Sequence, residues 1–316
     1  MPKGKVLKLH KDTPATWEEA LQQFLWWKQG EQVSRRTLED YQFHITRFFT
    51  AHPDAYHPAK VKRAVLEYMA KECSPGYYNI KRKYLRVFFS WAVKEGIFPE
   101  NPMDGFKTRK DTGRIVDTDT ETLERLLALP DKSTFSGLRD YALLLLTLDT
   151  GIRPGEAFSL TVTDFNFRSL QVTVRKETAK TREERTLPIL PMTTNAVREL
   201  ISCRPASWKA NVPVFCTQEG LPLNRHTWNG RIRMYAERLG VKLWPYALRH
   251  AFALTYIRNG GYELGLQRTL GHSTLAMTRR YVNLTQADLR EMNTAASPLN
   301  VLLPQRGARV RKVRGK

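Results

Sequence analysis

Residues 101–113 (NPMDGFKTRKDTG) interrupt the apolar periodicity of the chain with two turn-forming sites and a run of mixed charge. Periodic apolar stripes lie on both sides of this break, so two separate cores are expected. At 316 residues the chain is also longer than one core ordinarily holds. The expected division is a basic arm at 1–12, a first domain at 13–105, a linker at 106–117, a second domain at 118–295 and a basic tail at 296–316.

Charge narrows the choice of partner. Lysine and arginine number 51 against 31 acidic residues, a formal net charge of +20. The excess is shared, with 20 basic and 13 acidic groups in residues 1–112, and 31 and 18 in residues 113–316. Both halves therefore suit a polyanion, DNA or RNA ahead of an acidic membrane surface, bound with an affinity that falls with salt as counterions are released. The plainer alternative is charge that only keeps the protein soluble. Cys73, Cys203 and Cys216 are far apart and odd in number, which indicates neither a disulfide framework nor a zinc site. A cytoplasmic, nucleoid-associated protein without metal or cofactor is expected. The longest apolar run, 141–148, is too short to span a bilayer, and the N-terminus has lysines without an apolar h-region.

In the first domain Trp17, Ala20, Leu21, Phe24 and Leu25 recur at helical spacing, and Leu38, Tyr41, Ile45, Phe48 and Phe49 form the stripe of a second helix starting near Ser34. A third helix is expected over 58–71. Ser74-Pro75 opens a fourth, whose stripe passes through Tyr78, Leu85, Phe88, Phe89 and Ala92 and stops at Gly96 and Pro99. The aromatics read as core. Lys81, Arg82, Lys83 and Arg86 are candidate DNA phosphate contacts, although a basic run on a helix is more often just a solvated face.

The second domain begins with helix near Asp119. Residues 138–150 (LRDYALLLLTLDT) predict a buried helix that ends at Gly151, with Pro154 just inside the next element. β-Branched alternation at 170–174 and at 185–190 predicts a small hairpin or sheet edge with a charged connection, Val214-Phe215 predicts a further short strand, and the rest through Leu289 reads as helix. From Arg306 onward there are six basic residues and no acid, the pattern of an extended tail.

Five segments belong together: TGIRPGE with Arg153, TAKTREERTLP with Lys180, PYALRHAFA with Arg249, LGHS with His272 and TRRYVNLT with Tyr281. In order and local context they resemble the catalytic domain of the tyrosine recombinase, or phage integrase, family over residues 118–289, and the preceding helical unit looks like that family's core-binding domain. The resemblance implies a mostly α fold with a small antiparallel β-sheet, in which a helical core-binding domain and a mixed α/β catalytic domain form a two-domain clamp. It implies a metal-independent site-specific recombinase acting on double-stranded DNA recombination sites as a homotetramer on two synapsed sites.

The same resemblance assigns the chemistry. Tyr281 attacks the scissile phosphodiester and leaves a 3′-phosphotyrosine bond that a freed 5′ hydroxyl later attacks, so no ATP is needed, in keeping with the lack of a GxxxxGK loop. Arg153 and Arg249 are the guanidinium clamp on the non-bridging oxygens. Lys180, at the hairpin tip, protonates the departing 5′ oxygen, with Lys176, Arg182 and Arg185 as rivals on charge alone. His272 hydrogen-bonds the scissile phosphate. Glu156 resembles the family's acidic position that orients an arginine, against the alternative of an ordinary first-turn glutamate.

One departure stands out. The family usually has histidine three residues before its second arginine, and this chain has Tyr246 there. The i, i+3 spacing puts Tyr246 and Arg249 on one helical face, so Tyr246 can hydrogen-bond the phosphate or Tyr281, but with an ordinary pKa near 10 it is a poor base. The Tyr281 proton is left to water, to His272 or to the field of the arginines. His250 is expected to be structural, on another helical face. His10, His44, His52, His57 and His226 read as surface or packing residues.

Two other functions share parts of this pattern: a type IB topoisomerase-like nicking enzyme working as a monomer, and a catalytically silent DNA-binding relative. Apolar residues Leu289, Met292, Leu299, Val301 and Leu302 in 288–303, which can dock on a neighbouring subunit, argue against the first, and retention of both arginines, the lysine and the tyrosine argues against the second. The short N-terminal arm favours a simple core-site recombinase, and the basic tail leans toward integration, excision or transposition of a mobile element over Xer-type dimer resolution.

Overall fold

The computed structural model describes residues 13–111, 117–179, 183–282, 290, 293–294 and 297–302. The expected basic arm at 1–12 and the run from Arg306 lie outside them. The chain divides into two compact units, Met1–Arg114 and Ile115–Lys316.

In the first unit every α-helix starts where a side chain can satisfy a free first-turn amide. Thr16, Ser34, His57 and Ser74 each accept such an N–H, and α1 (Trp17–Gly30), α2 (Arg35–Ala51), α3 (Pro58–Ala70) and α4 (Pro75–Lys94) follow them. Their aromatic stripes meet in one core. Phe24 stands edge-on to Tyr41, Phe88 and Trp91 with ring centroids 5.0, 5.4 and 5.5 Å apart, a geometry that adds to simple burial.

Two expectations change here. Residues 106–111, read as the start of the linker, are held along α4: Arg82 Nε donates to the Phe106 carbonyl at 2.6 Å, and Asn79 exchanges two hydrogen bonds with the Arg109 backbone. The Arg109 guanidinium lies 3.8 Å from the centre of the Tyr78 ring. Polar groups on the outer face of α4 thus give this turn-rich stretch its partners. Lys81 is not displayed to solvent; it is 3% exposed, and its amino group donates to the Tyr68 carbonyl between the Tyr68 and Tyr77 rings. The reason is spacing, since residue 81 falls three after Tyr78 and four before Leu85, on the buried stripe. Arg86 pairs with Asp104 at 3.1 Å, and Lys83 is exposed.

The second unit is built on α6 (Phe135–Thr150), which carries Leu143, Leu144 and Leu146 fully buried. It is preceded by α5 (Thr120–Ala128) and followed by the single turn α7 (Pro154–Ala157). Strands β1 (Phe165–Asn166), β2 (Gln171–Val174) and β3 (Arg185–Pro188) form an antiparallel sheet in the order β1-β2-β3, with Phe165 opposite Val172 and Val174 opposite Arg185. The hairpin matches the expectation; β1, only two residues long, has too little pattern to announce itself. Val214 and Phe215 form no strand. Both are fully buried core residues, Val214 N–H donates to the Leu160 carbonyl, and the one bridge nearby joins Cys216 to Pro222.

Helices α8 (Pro191–Ser202) and α10 (Pro245–Arg258) pack against α6, and α9 (Arg225–Leu239) closes on α5 with Trp228 and Tyr235 buried. α11 (Glu263–Leu270) and the short α12 (Leu275–Arg279) lead to Tyr281. The fold is mostly α with one small antiparallel sheet, as the sequence implied. Among the described residues no helix is long and apolar enough to cross a membrane, and none gather as a metal site.

Candidate active site

Two helix ends make the frame. α6 and α11 both stop at a glycine in the left-handed region, Gly151 with φ 61° and Gly271 with φ 60°. A side chain at 151 would run into Phe252 and Leu270, so both backbone and space demand glycine there. Such ends leave carbonyls without helical partners and carry the negative pole of the helix. Arginines occupy them. Arg249, on α10, donates through Nη1 to the Gly151 carbonyl and through Nη2 to that of Leu270 at 2.7 Å. Arg153, which precedes α7, donates through Nη2 to the Gly271 carbonyl at 2.8 Å.

Glu156 ties the frame together from within. It is 2% exposed, and its carboxylate accepts from Arg153 Nη1 at 2.9 Å, from Arg185 Nη1 and Nη2 at 3.3 and 2.5 Å, and from the Arg153 backbone N–H. Burial by itself would raise its pKa, but the hydrogen bond and charge of Arg185, joined by Arg153, outweigh burial and hold it below the usual carboxylate range. Glu156 closes the first turn of α7 and at the same time grips two guanidiniums. Arg185, at the start of β3, also reaches the Thr269 carbonyl at 3.2 Å, so sheet, α7 and α11 meet at its side chain.

Each of Arg153 and Arg249 gives only part of its five N–H donors to these bonds. Both line a cleft of about 1440 Å³ together with Arg185, Tyr246, His250, His272, Arg280 and Tyr281. That is wider than the usual small-molecule site of roughly 300–1,000 Å³. Burial, then the charge of Arg153, pulls Arg249 down to about 9, which leaves it cationic at neutral pH.

Tyr281 is 4% exposed and belongs to a small core with Phe252, Leu266 and Leu270. Its hydroxyl is bonded to His250 Nδ1 at 2.7 Å. Burial raises its pKa, against the opposing pull of Arg249, Arg280 and Arg153. His272 stacks against the Tyr281 ring, centroids 6.4 Å apart, while its Nδ1 meets the Thr278 hydroxyl at 2.9 Å. Burial, with Arg249 and Arg153 next, takes His272 down to about 4, so it is neutral at pH 7. If Thr278 donates to Nδ1, the ring proton sits on Nε2, the form that can donate to an anion.

The structure therefore gathers Arg153, Glu156, Tyr246, Arg249, His272 and Tyr281 from segments far apart in the chain. Lys180 lies outside the described residues, as does Arg182; Glu183 and Glu184, on the β3 side of that connection, border the cleft. Tyr246 lines the cleft at its exposed edge, and among the described residues no hydrogen bond joins it to Tyr281. His250 corrects the expectation. It does not face away from the site but touches the nucleophile candidate. Spacing held the signal: residues 246 and 250 are i and i+4, neighbours on one face of α10. Arg185, weighed only as a rival to Lys180, is committed to Glu156 instead.

Residues 117–288 match the model of the phage integrase family. Over 271 residues the chain is 28% identical to tyrosine recombinase XerD of Lacticaseibacillus casei, covering 81% of this chain and 90% of that one. Over 221 residues it is 30% identical to tyrosine recombinase XerD of Shewanella oneidensis, covering 68% and 72%. Its fold is similar to that of the Tn1549 transposon integrase in complex with transposon right end DNA, with a TM-score of 0.70 at 21% identity over 88% of this chain and 99% of that one. It is also similar to the XerH site-specific recombinase bound to difH, with a TM-score of 0.64 at 20% identity over 88% and 83%. On this sequence match, this fold and the convergence of two arginines, a histidine and a tyrosine in one cleft, the chain belongs to the phage integrase family of tyrosine recombinases, site-specific enzymes that cleave and rejoin DNA.

Proposed function

We propose that this recombinase breaks double-stranded DNA at its recombination site by in-line attack of the Tyr281 hydroxyl on a phosphodiester, forming a 3′-phosphotyrosine and freeing a 5′ hydroxyl. The observation that carries the reading is that Tyr281 lines one cleft together with Arg153, Arg249 and His272. The guanidiniums neutralise charge that grows on the non-bridging oxygens, and they are held in advance by helix-end carbonyls and Glu156, so little reorganisation is left for the reaction. His272 donates to the same phosphate. Lys180 supplies the proton to the 5′ oxygen.

Four copies act on two synapsed sites. Leu299 and Leu302, on the helical turn Leu299–Leu302, are 59% and 70% exposed, which suits an apolar tail that docks on a neighbour; Leu289 and Met292 and the side chain of Val301 lie outside the described residues. In the first unit Lys83 contacts DNA phosphate, with Arg82 and Arg86 beside it. Integration, excision or transposition of a mobile element is the job the basic tail favours. The similarity to XerC and XerD recombinases favours a second reading, resolution of chromosome or plasmid dimers.

DNA covalently trapped on the wild-type protein in cells, once sequenced, separates these jobs: mobile-element ends support the first and a single chromosomal or plasmid locus the second. A nicked suicide duplex made from that sequence then tests the chemistry. Tyr281→Phe gives no covalent adduct, and an adduct persisting in that variant overturns the mechanism. A protein that remains monomeric on this DNA overturns the tetramer.

A further inference from the structure

His250 Nδ1 and the Tyr281 hydroxyl are hydrogen-bonded at 2.7 Å, and both residues line the cleft. Tyr281 is a buried phenol whose pKa is raised, so at neutral pH it attacks only if its proton leaves during the step. Water is a poor candidate, with the side chain 4% exposed. His272 has its Nδ1 on Thr278 and lies against the face of the Tyr281 ring, not at its hydroxyl. Tyr246 offers a phenol, not a base, and makes no hydrogen bond to Tyr281.

We propose that His250 is the proton acceptor for Tyr281, filling from position 250 the office that the chain leaves vacant at position 246. This rests on Tyr281 being the nucleophile. As the Oη–phosphorus bond forms, the Oη–H bond breaks and the proton passes to Nδ1, giving a His250 imidazolium; the bond from phosphorus to the 5′ oxygen breaks and that oxygen takes a proton from Lys180. In rejoining, His250 returns the proton to Oη as the tyrosine departs.

The surroundings of His250 suit this cycle. Burial, then Arg280, then Arg249 on its own helix bring it down to about 4, so the free enzyme holds it neutral; with the proton on Nε2, Nδ1 is the nitrogen that accepts. Arg280 comes from the segment that follows α12, and His272, the other titratable ring against Tyr281, is itself neutral. A base so weak does not ionise the phenol in advance. It accepts the proton only as bonding to phosphorus makes the phenol acidic, and when a bound phosphate offsets the two arginine charges that suppress it.

The test uses the nicked suicide duplex under single-turnover conditions, with wild type, Tyr281→Phe, His250→Asn and His250→Gln. Asparagine places an acceptor near the position of Nδ1 and cannot take the proton. The expected result is a fall in cleavage rate of about 10²-fold or more for both His250 variants, a rate that climbs with pH as phenolate becomes available, and recovery when a ring-fluorinated tyrosine of lower pKa stands at 281. Holding the hydroxyl in place without taking its proton would give no such recovery. His250 variants that cleave at the wild-type rate with the wild-type pH profile overturn the proposal while leaving Tyr281 in its role, as does a slow variant that the fluorinated residue fails to restore. An adduct from Tyr281→Phe overturns the underlying reading instead.

Discussion

The helices of the first unit and those that bear the cleft residues of the second are held at their ends by different means. Among the described residues of the first unit, α1 to α4 each begin on a side-chain cap, Thr16, Ser34, His57 or Ser74, set by residues three apart or fewer. In the second, α10, α11 and α12, which carry or flank the site, begin at Trp244, Tyr262 and Thr274 without any such capping bond from that side chain, while α7 is closed by the Glu156 carboxylate on the Arg153 N–H. What positions them is long-range: Arg249 on the ends of α6 and α11, Arg153 on Gly271, and Arg185 on Glu156 and Thr269. A cap fixes one helix end locally. The arginine frame makes the cleft and the fold of the second unit depend on the same bonds.

The contrast can be broken at its strongest point with Arg249→Ala, which removes the guanidinium proposed to hold the phosphate and leaves the Gly151 and Leu270 carbonyls without it. Single-turnover cleavage should fall by at least about 10²–10³-fold. Glu156→Ala should destabilise the second unit by about 3–5 kcal/mol, because two guanidiniums lose their buried partner. Hydrogen exchange followed by mass spectrometry should show this in 117–282 and not in 13–111; uniform loosening of both would deny that the frame is confined to one unit.

Acid should reproduce the contrast more gently. His250 and His272 bind protons at about 4 in the folded protein, below the ordinary 6.5 of the unfolded chain. Between those values the unfolded chain takes up protons that the folded one does not, so stability of the second unit falls as pH drops from 6.5 toward 4. Denaturation midpoints across that window check the sign. Glu156, with its lowered pKa, adds a further loss below the ordinary carboxylate value as it is protonated.

Local caps should cost less. Ser74→Ala is expected to lower first-unit stability by about 1 kcal/mol without touching the cleavage step, as read by denaturation and single-turnover rate together. Smallest is Lys83→Ala, which should reduce the salt slope of DNA binding by about one phosphate contact, whereas Lys81→Met should leave that slope unchanged. An equal change from both would put Lys81 back among the phosphate contacts.

The sequence was most informative where structure depends on near neighbours. Ser34, Ser74-Pro75 and Gly151 marked helix ends correctly because caps and left-handed stops act within a few residues. Lys81 and His250 show the cost of reading residue type before helical position. Lysine at 81 was taken for surface although its spacing from Tyr78 and Leu85 put it inside, and histidine at 250 was separated from Tyr246 although four residues on a helix bring them together. The strand read at Val214-Phe215 failed for a different reason, since apolar residues fill a core as readily as a ladder.

For the site, five ordered segments were enough to name the family, because phosphoryl transfer demands particular residue types and those types stand in the chain whatever its fold. That His250 meets the Tyr281 hydroxyl, and that Arg185 is bound to Glu156, came from tertiary structure alone. Those facts depend on side chains 31 and 29 residues apart meeting in a buried cleft. No local spacing rule encodes such a meeting; the packing of α10 on α6, and of α11 on α10 and β3, brings it about.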